Sequence, residues 1–337
     1  MLSDRQKLIL KAIVEEYIES IEPVGSKVLT EKPYLDFSSA TIRYDMAKLE
    51  ELGYLEKTHT SSGRIPSQKG YKYYVDYLVT RDYDVVDAFP LIDCIFADNT
   101  KARKQAIKEA VTLLGELTNY MIVNSVSSAN IRIKRLDLIP INLKEAVLLI
   151  VTNQASVSNQ LIRISNDLDM DHLCKVIATL NDIVHDKPIN EIFTILKSND
   201  CLESIHDYMD YQEELINIFN NAFKEIKNEQ VYTSGVTNIF NQPEFRDVDF
   251  IKNFLDAQIE KNFINFNTEN RGLSIKIGYD NMPKTMKNCS VISIPYSIDD
   301  EDYGTIAVIG PTRMEYKKVI PLVEYIANNL SKLYKKK

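Results

Sequence analysis

The sequence predicts an α+β protein of several domains, and three observations support this. The first eighty residues hold three helix patterns followed by a short hairpin pattern. Strand-like segments then occur in two groups, and a long helical stretch separates the groups. With 337 residues, 45% of them apolar, the chain is long enough to bury the cores of two or three domains.

Two helices are predicted before residue 31. Ser3 can cap the first helix, whose apolar residues share one stripe and which ends before Pro23. Ser26 can cap a second, short helix that continues to about Thr30.

The third helix pattern is the most informative one in the chain. Ser38 or Ser39 can accept a hydrogen bond from the first turn, and Gly53 permits the left-handed conformation that ends a helix. Apolar residues at i, i+4 and i+7 predict one buried stripe, formed by Ile42, Met46 and Leu49. Arg43 is predicted at the edge of that stripe, and the outward residues are Thr41, Tyr44, Asp45 and Lys48.

A hairpin pattern follows, with strands at 54–58 and 64–66 around a loop at 59–63. The segment from Glu56 to Tyr74 contains one acidic residue, Glu56, and four basic residues: Lys57, Arg64, Lys69 and Lys72. Three helices and then a hairpin are the order of a winged helix-turn-helix, so double-stranded DNA is the first partner to consider. In helix-turn-helix proteins the first turns of this helix meet base edges in the major groove.

Nine residues are candidate DNA contacts on this interpretation. Thr41, Arg43 and Tyr44 are predicted to read bases, and Arg64 also lies where a wing could enter the minor groove. The residues predicted to position the duplex through phosphates are Ser39, Lys48, Lys57, Arg64 and Lys69, and His59 is a further candidate DNA contact. The alternative is a helix face that only meets solvent.

The predicted DNA-binding segment is not basic overall. Residues 1–78 carry 11 Lys and Arg and 12 Asp and Glu, and the whole chain has a net charge of −8. DNA binding would therefore depend on the positions of a few cations.

The rest of the chain predicts one α+β domain with a helical insertion. A helix at 101–120 precedes strands at 132–139, 146–152 and 157–164 and a helix at 167–184. Further strands are predicted at 273–278, 290–295 and 305–309, and then a helix at 315–332. The block between, about 186–271, contains amphipathic helix patterns at 202–227 and 247–263. Their wide apolar faces favour a subunit interface, although packing on the parent domain is the alternative.

Four long segments of the chain resemble the HrcA heat-inducible transcription repressors. They are MLSDRQKLILKAIVEEYIESIEPVGSKVLTEK, SSATIRYDMAKLEELGYLEKTHTSSGRIPSQKGYKYYVDYL, TNIFNQPEFRDVDF and YGTIAVIGPTRMEYKKVIPLVEYIA. The resemblance implies a winged helix at 1–80, a GAF-like domain at 81–185 and 272–337, and an inserted dimerisation domain at 186–271. Tyr44 departs from the pattern, because family members often carry Asn there, and a phenol cannot make the bidentate contact of Asn with adenine.

The resemblance also implies a function. We expect a homodimer that represses heat-shock chaperone operons by binding an inverted-repeat operator. It implies that the chaperonin GroEL holds the repressor in its DNA-binding form until heat-damaged proteins compete for the chaperonin. GAF-like folds often bind small molecules, so a repressor controlled by a ligand in that domain is the alternative.

The sequence does not indicate an enzyme, a metal-binding protein or a membrane protein. The sequence has neither of the glycine-rich nucleotide motifs and only four histidines, so we expect no catalytic site, metal or cofactor. The four cysteines are far apart and fit free thiols in a reducing compartment. No apolar run is long enough to cross a membrane and the N-terminus lacks a signal pattern, so a cytoplasmic protein is expected.

Overall fold

The computed structural model has helices and several sheets, as the predicted α+β class requires. The described residues are 2–57, 63–81, 87, 89–98, 103–126, 131–153, 157–163, 169–196, 221, 231–245, 272–280, 286–298 and 303–335. The chain divides into two compact units. One contains Met1–Asn124 and Tyr232–Lys337, and the other contains Ser125–Val231.

The first unit begins with helices α1 (Asp4–Ser20), α2 (Ser26–Thr30) and α3 (Ser39–Glu51). Ser3 caps α1 as predicted: its hydroxyl accepts from the Gln6 N–H, and the Gln6 side chain accepts from the Ser3 N–H. The prediction for α2 was wrong in its cap, since Gly25 holds that position and Ser26 is the first helical residue.

Local sequence signals set both ends and the buried face of α3. The Ser38 hydroxyl accepts from the Thr41 N–H at 3.2 Å, and Gly53 has a φ of 78°, so both predicted end signals are confirmed. The predicted stripe is buried, at 0–3% exposure for Ile42, Met46 and Leu49.

A short hairpin follows α3, made of β1 (Leu55–Lys57) and β2 (Arg64–Pro66) paired antiparallel with Lys57 opposite Arg64. The backbones of Val24 and Arg64 also exchange two hydrogen bonds of 2.9 Å, which attaches the hairpin to the segment before α2. Helix α4 (Gln68–Tyr73) then runs into a π-helical turn at Tyr74–Leu78.

The remainder of this unit surrounds a five-stranded sheet. Its strand order is β7-β3-β10-β9-β8, and β8, β9 and β10 pair antiparallel. The strands are β3 (Met121–Val126), β7 (Val231–Ser234), β8 (Ser274–Ile277), β9 (Cys289–Ser297) and β10 (Tyr303–Pro311). The helices are α5 (Phe89–Ala97), α6 (Arg103–Thr118), α9 (Val236–Phe240) and α10 (Tyr316–Lys335).

Polar contacts join the N-terminal helices to this sheet region within the first unit. Gln68 donates to the Lys287 carbonyl at 3.1 Å and accepts from the Tyr279 N–H at 3.1 Å. Lys72 pairs with Asp280 at 2.7 Å. Helix α4 is therefore held against the sheet region by hydrogen bonds and an ion pair.

The second unit has a separate antiparallel sheet, β4-β5-β6, of Ile133–Pro140, Glu145–Thr152 and Val157–Arg163. Helix α7 (Met170–Val184) packs its apolar residues on one face of this sheet, and α8 (Ile189–Leu196) adds Ile189 and Ile192 to the core.

This second sheet corrects the prediction that all six strands belong to one interrupted domain. Strand positions were predicted closely, but the first three strands lie in the second unit and the last three lie in the first. The compact insertion thus spans 125–231, whereas 186–271 was predicted. The helices predicted at 202–227 and 247–263 lie outside the described residues, apart from Asn221, which is helical.

Candidate nucleic-acid interface

The start of α3 is fixed by hydroxyl groups that were predicted to face DNA. The Thr41 hydroxyl lies 2.9 Å from that of Ser38, and the Ser39 hydroxyl lies 3.0 Å from that of Ser26 at the start of α2. These bonds hold the first turns of α2 and α3 side by side. They also leave Thr41 and Ser39 with part of their hydrogen-bonding capacity already in use.

The outward face of α3 carries two polar side chains without a partner among the described residues, Arg43 and Tyr44. Both are exposed, Tyr44 by 68%. Lys48, one turn beyond Tyr44, pairs with Glu51 at 2.8 Å, and that hydrogen bond raises the pKa of the lysine. This pair is exposed, so the lysine can leave it at little cost. The face therefore offers a guanidinium and a phenol in the N-terminal half of the helix, and a weakly held ammonium group in its last turn.

Asp45 does not face outward, which corrects its prediction. It is 1% exposed, and its carboxylate accepts from Arg5 Nε at 2.5 Å and from Arg5 Nη2 at 3.4 Å. A carboxylate can be buried here because a charged donor pairs with it. Arg5 was not among the predicted residues, since its partner is 40 residues away and no local pattern joins them.

Arg64 is held by the protein at the loop end of the hairpin, where it lies opposite Lys57. Its Nε donates to Glu50 at 2.7 Å, its Nη1 donates to the Gly63 carbonyl at 3.3 Å, and its side chain is only 15% exposed. A Cβ at Gly63 would lie 2.8 Å from Pro23, so the close approach of the two segments requires glycine there. Arg64 thus connects α3 to the hairpin, and a phosphate contact would compete with Glu50.

Lys69 is also engaged, whereas Lys57 is not. The Lys69 ammonium group donates to the Leu52 carbonyl at 2.8 Å and lies 4.5 Å from the centre of the Tyr54 ring. Lys57 is exposed and has no partner among the described residues. His59 lies outside the described residues, as do all of residues 58–62.

A surface cavity of about 570 Å³ lies away from this face, between α1 and the start of α10. Its lining is charged, but Lys317 pairs with Glu15 at 2.7 Å and Lys318 pairs with Glu315 at 2.5 Å. Both lysines lie beside carboxylates, so the lining presents basic and acidic groups together. Among the residues that the structure describes, no helix is long and apolar enough to span a membrane, and no cluster of His, Cys, Asp or Glu is suited to a metal ion.

Comparisons with known proteins agree over almost the whole chain. The family model of the HrcA protein C-terminal domain matches residues 104–320. The heat-inducible transcription repressor HrcA of Acholeplasma laidlawii (strain PG-8A) is 48% identical over 99% of this chain and 98% of its own. That of Bacillus pumilus (strain SAFR-032) is 37% identical over 98% of this chain and 97% of its own. A crystal structure of a hypothetical protein matches with a TM-score of 0.67 and 26% identity over 99% of both chains.

Proposed function

The chain belongs to the HrcA family, and from that membership we propose that it is a homodimeric repressor of heat-shock chaperone operons that binds an inverted-repeat operator. The relatives named above are heat-inducible transcription repressors, and the family is one of transcriptional repressors rather than enzymes. The observation that carries the proposal is the outward face of α3, where Arg43 and Tyr44 are exposed and unpaired within the described residues.

The N-terminal elements act as a winged helix-turn-helix in this proposal. Helices α1 to α3 come first, and the β1–β2 hairpin follows, attached by the Val24–Arg64 pairing. Helix α3 then enters the major groove with its capped N-terminal turns. The first turn of a helix favours negatively charged groups, so a phosphate beside Ser38 would be stabilised there.

The candidate residues take different roles. Arg43 and Tyr44 read base edges together with Thr41, while Lys48 and Lys57 contact phosphates. Ser39, Arg64 and Lys69 act mainly by holding the helix and the hairpin in position, since each already has a partner in the protein.

A dimer matches an inverted repeat, because two-fold symmetry in the protein then mirrors two-fold symmetry in the operator. We assign dimerisation to the second unit, and the sheet region of the first unit is the GAF-like part. In the second unit, the sheet face opposite α7 carries apolar side chains in register. Ile139 lies opposite Val147, which lies opposite Leu161, and the two edge residues are 49% and 51% exposed. A second copy of the chain would bury this face.

Regulation by the chaperonin GroEL and temperature completes the proposal. A repressor with an exposed apolar face depends on assistance to remain in its active form, and heat-damaged proteins would divert that assistance. Purified protein heated through a heat-shock temperature without chaperonin should lose its dimer or its operator binding. Full retention of both would remove this mechanism while leaving the repressor function intact.

The first experiment measures binding of the full chain to a labelled inverted-repeat duplex from a chaperone promoter. A scrambled duplex of equal length is the control, and both are titrated over a series of salt concentrations. We expect selective binding to the operator, with an affinity that falls steeply as salt rises. Equal, weak binding to both duplexes, with and without chaperonin, would overturn the proposed function.

A further inference from the structure

In the ion pair between Arg5 and Asp45, the carboxylate is buried and the guanidinium is partly exposed. Asp45 lies in the middle of α3 with its side chain 2% exposed, whereas the Arg5 side chain is 43% exposed. The guanidinium donates to the carboxylate through Nε and Nη2. A guanidinium has five N–H donors, so its Nη1 edge is left without a partner among the described residues.

That open edge lies close to the end of α3 that is proposed to enter the groove. The Arg5 guanidinium carbon is 6.0 Å from the centre of the Phe37 ring, and Phe37 immediately precedes the capping Ser38. The hydrogen bond to Asp45 is the largest cause of the raised pKa of Arg5, and Tyr44 adds a smaller electrostatic contribution. Arg5 therefore lies beside the N-terminal end of α3, bonded to the residue that follows Tyr44 in the helix.

We propose that Arg5 contacts a DNA phosphate and that the buried Asp45 carboxylate holds its guanidinium in position for that contact. The inference rests on the proposed operator binding and adds to it a residue from α1. Arginine suits this place because its planar fork can bond a carboxylate on one edge and a phosphate oxygen on the other. A side chain already fixed by Asp45 loses little further freedom when DNA binds, which favours the contact.

A purely structural ion pair is the competing explanation, and single alanine variants cannot separate the two. Arg5→Ala would leave an unpaired carboxylate in the core, so the domain could fail to fold. The double variant R5Q/D45N avoids this, because an amide pair can keep a hydrogen bond while the net charge stays the same. The exposed pair Lys7–Asp4, 2.9 Å apart on the same helix, supplies the matched control D4N/K7Q with an equal change in charge.

The test measures operator affinity of the full chain across a salt series, with thermal unfolding to verify folding. For R5Q/D45N we expect roughly tenfold weaker binding to operator and scrambled duplexes alike, and a log–log salt slope smaller by about 0.9. D4N/K7Q should keep the wild-type slope. An unchanged slope for a folded R5Q/D45N would overturn the inference, as would an equal loss in both double variants.

Arg5→Lys gives a second, independent test. A lysine keeps the charge and can pair with Asp45, but its compact ammonium group cannot serve the carboxylate and a phosphate with a planar fork. We expect a folded protein with weaker DNA binding than wild type, and wild-type affinity would overturn the proposal. If the wild-type protein itself does not prefer operator to scrambled DNA, the proposed function fails first and the inference fails with it.

Discussion

The outward face of α3 and the segment from β2 to α4 both carry basic side chains, but the protein uses them differently. Arg43 on α3 is exposed and has no partner among the described residues. Arg64 in the hairpin is 15% exposed and is held by Glu50 and by the Gly63 carbonyl. Lys69 is likewise held by the Leu52 carbonyl and the Tyr54 ring.

This difference shows that the sequence position of a cation does not determine its availability. The four basic residues between Glu56 and Tyr74 give a local net charge of +3, which predicted a phosphate-binding surface. Three of them already bind groups of the protein itself: Arg64 pairs with Glu50, Lys69 donates to the Leu52 carbonyl, and Lys72 pairs with Asp280. These three cations are therefore less available to DNA than Lys57. We therefore expect substitutions on the outward face of α3 to act on DNA binding and substitutions of Arg64 and Lys69 to act mainly on stability.

Arg43→Ala should give the largest effect on operator binding. Loss of a base contact costs about 1–3 kcal/mol and relaxes sequence preference at one position. The side chain is exposed and unpaired within the described residues, so the thermal unfolding temperature should stay near that of wild type. Titration of the operator and of duplexes substituted at single positions measures both effects. Unchanged operator affinity would remove Arg43 from the interface.

Tyr44→Asn tests whether the neighbouring position reads a base. Asn can bond adenine through two hydrogen bonds, which a phenol cannot, so the variant should gain a preference of about 1–3 kcal/mol for adenine at one operator position. Competition among duplexes carrying each base at each position measures this preference, and Tyr44→Phe is the control for loss of the hydroxyl alone. If neither variant changes any preference, Tyr44 faces phosphate or solvent instead.

The end signals of α3 were predictable because they are local. The stripe at Ile42 lies within α3, and Ser38 and Gly53 lie just outside its two ends; helix caps and spacing act over only a few residues. The burial of Asp45 depends on Arg5 in another helix, so spacing within α3 could not reveal it. The same limit applies to Arg64, whose availability depends on Glu50 in α3.

The sheets also show that local sequence patterns do not reveal contacts between distant segments. Strands such as β4 and β10 were predicted close to their observed bounds from β-branched and alternating residues. Which strands pair depends on contacts between distant segments, as where β3 (Met121–Val126) lies beside β10 (Tyr303–Pro311). β3 itself was missed, because all six of its residues are buried and it has no alternating pattern.

Arg64→Ala should lower stability more than it lowers DNA affinity. The hydrogen-bonded pair with Glu50 is partly exposed and partly screened, so we expect a loss of about 1 kcal/mol in the free energy of unfolding. Urea unfolding followed by circular dichroism measures it, and a double-mutant cycle with Glu50→Ala isolates the coupling between the two side chains. Affinity for the operator should be measured well below the unfolding transition. A large loss of affinity with no loss of stability would place Arg64 on the DNA.

Lys69→Met should have the smallest effect, and Lys57→Met provides its matched partner. Methionine keeps a flexible apolar chain over Tyr54 but removes the charge, so stability should change by no more than about 1 kcal/mol. Because the Lys69 ammonium group is occupied by the protein, its loss should leave the salt slope of operator binding nearly unchanged. Lys57 is exposed and unpaired among the described residues, so its loss should reduce that slope by about 0.9. An equal reduction of the salt slope in Lys69→Met and Lys57→Met would show that Lys69 leaves the Leu52 carbonyl when DNA binds. The contrast between engaged and free cations would then apply only to the protein without DNA.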